Sequence, residues 1–161
     1  MSHGVTDLEK EFAHDHRHLT RGFSEIIRAL QVNDWAEAQR LAAWLNQKGG
    51  PHIDFEERIL YPEVAAARGQ DYANNLYREH RVAISALEDL ISLDPDARTE
   101  ELKSSLIERL QVGLDHAVSC GTLLSHLTIH DVPTQEKMLE ELRQARSNAE
   151  PMDRVITKRS L

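Results

Sequence analysis

The sequence predicts an all-α protein: an antiparallel up-down-up-down four-helix bundle with a short additional C-terminal helix. Apolar residues recur at steps of three and four along four long segments, which is the spacing of amphipathic helices. Glycine and proline are scarce, with 7 and 5 copies among 161 residues, so the composition is that of a globular helical protein. No segment shows the alternation of apolar and polar residues that is typical of a strand. Short connections between long helices favour antiparallel neighbours.

The first two helices are predicted from local signals at their ends. The string Thr6-Asp7-Leu8-Glu9 is a capping box, whose hydroxyl and carboxylate can bind free N–H groups of the first turn of helix 1. In helix 2, Gly49-Gly50-Pro51 is expected to break or kink the helix, because proline lacks an N–H and clashes with the preceding turn. The helix should restart at Pro51 and continue to about Ala67, and Gly69 is a plausible stop.

The second half of the chain repeats this pattern. Helix 3 is predicted over about 71–92, and Thr99 is placed to cap helix 4, whose apolar residues continue to Leu127. A fifth helix is expected to start near Pro133. The apolar residues of this helix are Met138, Leu139 and Leu142. They either cover the bundle or form a contact in a homodimer, and the sequence leaves both possibilities open.

The predicted domain organisation is simple. Residues 1–147 form one domain, the bundle with its appended helix, and the polar residues 148–161 form a flexible C-terminal tail. A net charge of −8 argues against a nucleic-acid or anionic membrane partner, since both need a basic surface. No apolar run approaches the length of a membrane span, and residues 1–10 lack an apolar segment, so we expect no secretory signal. The single cysteine cannot form an internal disulfide, so a cytoplasmic location is expected.

Four of the nine histidines are arranged with regular spacing along the predicted helices. His52 follows His16 by 36 residues, and His116 follows His80 by the same interval, so a 64-residue shift relates two helical hairpins. A single histidine on an apolar face is more often an ordinary core residue than a metal ligand. Four at matched positions favour a shared metal site, because buried imidazoles without partners each cost about 1–3 kcal/mol.

Glu56 and Cys120 occupy equivalent positions in this repeat. Glu56 lies one helical turn after His52, which suits two ligands of one metal or a carboxylate that bridges two metals. Cys120 lies one turn after His116, and either packing or a role as an additional ligand or redox thiol is open. His14 and His18, two residues from His16, are expected to face solvent.

These residues resemble the hemerythrin-like family, the HHE cation-binding domains. The resemblance rests on Asp15-His16-Arg17-His18-Leu19, on His52-Ile53-Asp54-Phe55-Glu56-Glu57 with Tyr61-Pro62, on Glu79-His80 and on Leu114-Asp115-His116. It covers roughly residues 8–130.

The resemblance implies a four-helix bundle with a carboxylate-bridged non-haem di-iron centre. In that centre Glu56 would be the bridging carboxylate, and the terminal ligands would be His16, His52, His80 and His116. The family usually has Glu or Asp near position 120, where this chain has cysteine. A single iron or zinc in the same pocket is therefore an alternative to a di-iron pair.

Three functions follow as hypotheses. The first is a metal protein, with iron as the expected metal, that binds or senses dioxygen, nitric oxide or an oxidant. The second is a redox enzyme that acts on peroxide or nitric oxide through the metal. The third is a structural or regulatory bundle with zinc or no metal. In each case we expect the imidazoles to be held by carbonyls or carboxylates from neighbouring helices.

Overall fold

The computed structural model describes residues 6–157 and confirms the all-α bundle. Within this range the structure has no strand, and none of its helices is long and apolar enough to cross a membrane. The helices are α1 (Asp7–Gln31), α2 (Trp35–Phe55), α3 (Tyr61–Arg68), α4 (Gln70–Ile91), α5 (Glu100–Cys120), α6 (Ser125–Thr128), α7 (Val132–Asn148) and α8 (Met152–Thr157). Helix α1 packs against α2 and α5, and α4 packs against the same two helices, so the four long helices form a closed ring.

The predicted caps are present at both hairpins. Thr6 and Glu9 form the capping box of α1, with the Thr6 N–H donating to Glu9 Oε2 at 2.6 Å. Asp34 caps α2 and Thr99 caps α5 by accepting backbone N–H groups of the first turn. Gly69 ends α3 with a φ of 100°, a conformation that costs glycine little.

The predicted break at Gly49-Gly50-Pro51 is wrong, because α2 runs through all three residues. The glycines serve close packing instead. A Cβ at Gly50 would lie 1.6 Å from the carbonyl oxygen of Glu150, and one at Gly49 would lie 2.2 Å from Cε of Met152. The two glycines therefore let the C-terminal segment lie directly on the backbone of α2.

A π-helical turn over Glu56–Leu60 joins α2 to α3. Its backbone bond runs from the Tyr61 N–H to the Glu56 carbonyl, five residues back instead of four. Because a π turn holds more residues than an α turn, side chains five positions apart remain on one face. Glu56 and Tyr61 consequently both point into the bundle and are almost completely buried.

More of the C-terminal segment packs against the core than the sequence predicts. Helix α7 packs Leu139 and Leu142 against the bundle, so both residues cover the chain's own core. Where a flexible tail was expected from residue 148, α8 instead buries Met152 and Val155 against the core and packs on α2 and α4. Residues 158–161 lie outside the described range.

Two apolar clusters fill the bundle, one at each side of the predicted histidine level. The first contains Leu19, Phe23 and Ile53, and the second contains Phe12 and Phe55. On α1, His16 therefore lies between Phe12 of one cluster and Leu19 of the other. The polar residues between the clusters form the candidate site.

Candidate metal centre

The four histidines selected from the sequence lie at one level of the bundle, one on each long helix. His16 is on α1, His52 on α2, His80 on α4 and His116 on α5, and all four are buried. They form two ring pairs, with centroids 5.0 Å apart for His16 and His52 and 4.6 Å apart for His80 and His116. The 64-residue repeat thus appears as two equivalent imidazole pairs.

Glu56 lies between the two pairs. Its carboxylate Oε1 is 3.1 Å from His52 Nε2 and 3.7 Å from His80 Nε2, and the side chain is only 1% exposed. Two sets of donor atoms, each with its members within 4.8 Å of one another, share this carboxylate: His16, Glu56 and Cys120 in one, and Glu56, His80 and His116 in the other. Five of the six candidate donors are therefore arranged as two adjacent groups with Glu56 common to both, whereas His52 belongs to neither group and contacts Glu56 directly.

Cys120 contacts Glu56 across the repeat. The thiol donates to Glu56 Oε2 at 2.5 Å, so the two residues that the 64-residue shift equates meet at the centre of the bundle. Burial and then the Glu56 charge raise the pKa of the Cys120 thiol well above its ordinary value. Without a metal the sulfur is thus protonated, and it must lose its proton to act as a thiolate ligand.

Carboxylates from the neighbouring helix of the same hairpin hold two of the imidazoles. Asp15 Oδ2 lies 3.4 Å from His52 Nδ1, and Glu79 Oε2 lies 2.6 Å from His116 Nδ1. Both carboxylates precede a histidine of the set by one position, so the repeat also includes these supports. Such bonds fix the ring orientation and leave Nε2 free to face the centre.

Asp15 is itself held by helix α7. Arg146 on α7 donates to both Asp15 oxygens at 3.1 Å and to Glu11 Oε2 at 2.7 Å. Burial would raise the pKa of Asp15, but the His52 and Arg146 partners outweigh it and lower that pKa. A chain of contacts therefore runs from α7 through Asp15 to His52.

Tyr61 is the residue of the centre that the sequence reasoning missed as a functional group. Its hydroxyl lies 2.8 Å from His80 Nε2, 2.9 Å from His116 Nε2 and 3.4 Å from Glu56 Oε2. Burial and then the Glu56 charge raise its pKa well above 10, so the phenol is neutral. The π-helical turn that brings Tyr61 inward has no simple sequence signal, although Tyr61-Pro62 was part of the motif.

The donor set fits a metal ion. Nε2 of His16 is buried and has no hydrogen-bond partner among residues 6–157, and the buried Nε2 of His52 faces the Glu56 carboxylate at 3.1 Å. An unpaired buried nitrogen is costly, and coordination to a cation satisfies it. Imidazole, carboxylate and thiol together are donors that suit iron or zinc.

The pKa values of His16 and His52 are shifted in opposite directions. Burial lowers the pKa of His16 to about 4, so this ring is neutral. Burial opposes charge at His52 as well, but the Glu56 and Asp15 carboxylates raise its pKa to about 9. Burial would raise the pKa of Glu56, and the positive charge at His52 instead holds it well below 4.5. A cation at Glu56 would therefore replace a proton on His52.

A small cavity of about 20 Å³ adjoins the donors. His16, Glu56, His80 and His116 lie on its polar side, whereas most of the remaining wall is apolar and includes Phe23. A Cβ at Gly113 would lie 2.8 Å from both Ala83 Cβ and Phe23 Cε1, so glycine allows this close packing beside the cavity. The volume is enough for about one water-sized molecule.

Comparison with protein families decides which family the chain represents. The model of the hemerythrin HHE cation-binding domain matches residues 7–118. The chain belongs to this family. The hemerythrin match spans Glu56 and all four histidines of the centre, whereas Cys120, α7 and α8 follow it. Searches of curated proteins and of solved structures gave no significant match.

Proposed function

We propose that this hemerythrin-family protein holds a non-haem iron centre and uses it to bind or sense dioxygen, nitric oxide or an oxidant. The observation that carries the proposal is the position of Glu56 in both donor groups. A buried, ionised carboxylate shared by two adjacent groups suits a bridge between two cations. The proposed centre is therefore dinuclear, with Cys120 in the place of a second bridging carboxylate.

The residues around the donors support this assignment. When bound, iron would supply a redox-active cation with a coordination position for a small ligand. The chain would supply the negative charge of Glu56, and it would orient His52 and His116 through Asp15 and Glu79. Phe23 and the other apolar residues of the cavity wall exclude bulk water from the same place.

The cavity supports a diatomic molecule as the ligand. Its volume of about 20 Å³ leaves room for one small molecule and excludes an organic substrate of ordinary size. An apolar wall facing buried donors favours an uncharged ligand over an anion. Because the single cysteine cannot form a disulfide within the chain, the proposal includes a cytoplasmic location.

Metal analysis with an optical spectrum tests this proposal. Protein purified without added metal should contain iron, with about two ions per chain and visible absorption. Glu56→Gln should lower the iron content sharply, because an amide cannot bridge two cations. Glu63→Gln is the control, since Glu63 on α3 lies beside His130 at 3.2 Å and belongs to neither donor group. Equal metal content in both variants would contradict the assigned role of Glu56.

A single zinc is the second candidate, and one observation favours it. The group of His16, Glu56 and Cys120 contains a thiol, which tilts a small donor set toward zinc as well as iron. One zinc per chain and no visible absorption would support this candidate over the iron centre. Cys120→Ser should then remove the zinc while leaving the helical content unchanged.

A further inference from the structure

Two exposed histidines on α1 point at each other outside the buried centre. Nε2 of His14 and Nε2 of His18 are 3.2 Å apart, and the rings are nearly perpendicular at 75°. Both side chains are exposed to solvent. Within residues 6–157, each of these two rings forms a hydrogen bond only with the other ring. Nε2 of each ring is thus directed at the same point, which is accessible to solvent.

The pair lies on the wall of a surface pocket of about 280 Å³. The same pocket is lined by Trp44 and Lys48 of α2, and its inner wall includes Asp15 and His52. The two exposed imidazoles are therefore part of a concave surface and do not stand alone on a convex helix. Asp15 contributes a negative charge to this surface, although Arg146 and His52 already contact it.

The separation of the two nitrogens matches bidentate coordination. With metal–nitrogen bonds of about 2.0–2.1 Å, nitrogens 3.2 Å apart subtend an angle of about 100° at the ion. That angle lies close to the values of tetrahedral and octahedral geometry, so neither side chain must change its conformation greatly. An ion there would take the place of the hydrogen bond between the two rings, and water would complete its coordination.

We propose that His14 and His18 form a second metal site, which takes a divalent first-row transition-metal ion at the mouth of this pocket. The site is independent of the assignment of the buried centre, because neither histidine belongs to its donor groups. Imidazole pairs bind such ions well, whereas Mg²⁺ and Ca²⁺ prefer oxygen donors. Selectivity for Ni²⁺, Cu²⁺ or Zn²⁺ over Mg²⁺ follows.

The pocket provides its own reporter for a test. Trp44 lines it together with both histidines, so bound Cu²⁺ or Ni²⁺ should quench Trp44 fluorescence. Titration of the purified chain with Ni²⁺ should give saturable quenching that Mg²⁺ does not produce. His14→Gln and His18→Gln should each weaken this binding at least about tenfold, and the double variant should be little worse, because chelation needs both rings.

Controls separate this site from the buried centre and from unspecific binding. His130→Gln removes a histidine whose Nε2 lies 3.2 Å from Glu63 at another part of the surface, and it should leave the titration unchanged. Trp44→Phe should abolish the quenching while the chain still binds to immobilised Ni²⁺ as the wild type does. If wild type, His14→Gln and His18→Gln bind Ni²⁺ with equal affinity and equal stoichiometry, the proposed site does not exist.

Discussion

Tyr61→Phe tests how the centre is held together with and without metal. The substitution removes one buried hydroxyl, which contacts Nε2 of both His80 and His116. In the metal-free chain these nitrogens lose a partner, and one unsatisfied buried group costs about 1–3 kcal/mol. With two nitrogens affected, the free energy of unfolding should fall by about 2–6 kcal/mol. If a metal occupies the same nitrogens, the loss should shrink to about 1 kcal/mol or less.

Urea denaturation, with a chelator and with added metal, measures both values. Tyr77→Phe is the matched control, because its hydroxyl donates to the Glu57 carbonyl at 3.0 Å while its ring packs on Tyr61. It should cost about 1 kcal/mol in both forms of the protein. An equal loss of stability for Tyr61→Phe with and without metal would refute the reasoning, since the metal would then not bind His80 and His116.

Further predictions concern the support, the protonation and the cavity of the centre. Asp15→Asn should weaken metal binding about 10–100-fold in chelator competition, because His52 loses its carboxylate partner, and unchanged affinity would exclude that role. Metal binding near neutral pH should release protons, since the pKa of His52 is raised to about 9 and the ring must become neutral. Calorimetry in two buffers counts them, and Cys120→Ser should release one fewer if the thiolate is a ligand. Gly113→Ala brings a Cβ within 2.8 Å of Phe23, so it should cost about 1–3 kcal/mol and slow nitric oxide binding in stopped-flow at constant metal content.

The sequence predicts those parts of the molecule that depend on periodicity. A 3.6-residue repeat and the capping residues Thr6 and Thr99 determine where helices begin and which faces are buried. The two histidines of each hairpin are separated by the same 36 residues. Because the two hairpins are similar, this equal spacing places all four histidines at one level of the bundle. The carboxylate supports were expected from neighbouring helices, and the structure identifies them as Asp15 and Glu79.

Contacts between distant segments were beyond such reasoning. Gly49 and Gly50 predict a break or a kink, whereas helix α2 continues through them and they permit contact with residues more than 90 positions later in the chain. No simple pattern in the sequence predicts the π-helical turn, so the inward position of Tyr61 could not be predicted. Arg146 likewise reaches Asp15 only because α7 folds back on α1, which no local pattern specifies.

The two carboxylate–histidine pairs each lie within a single hairpin. Asp15 supports His52 in the first, and Glu79 supports His116 in the second. Each hairpin of this kind therefore contains both a candidate ligand and the carboxylate that orients it. Glu56 and Cys120 meet only where one hairpin packs on the other, so the shared part of the centre depends on that packing.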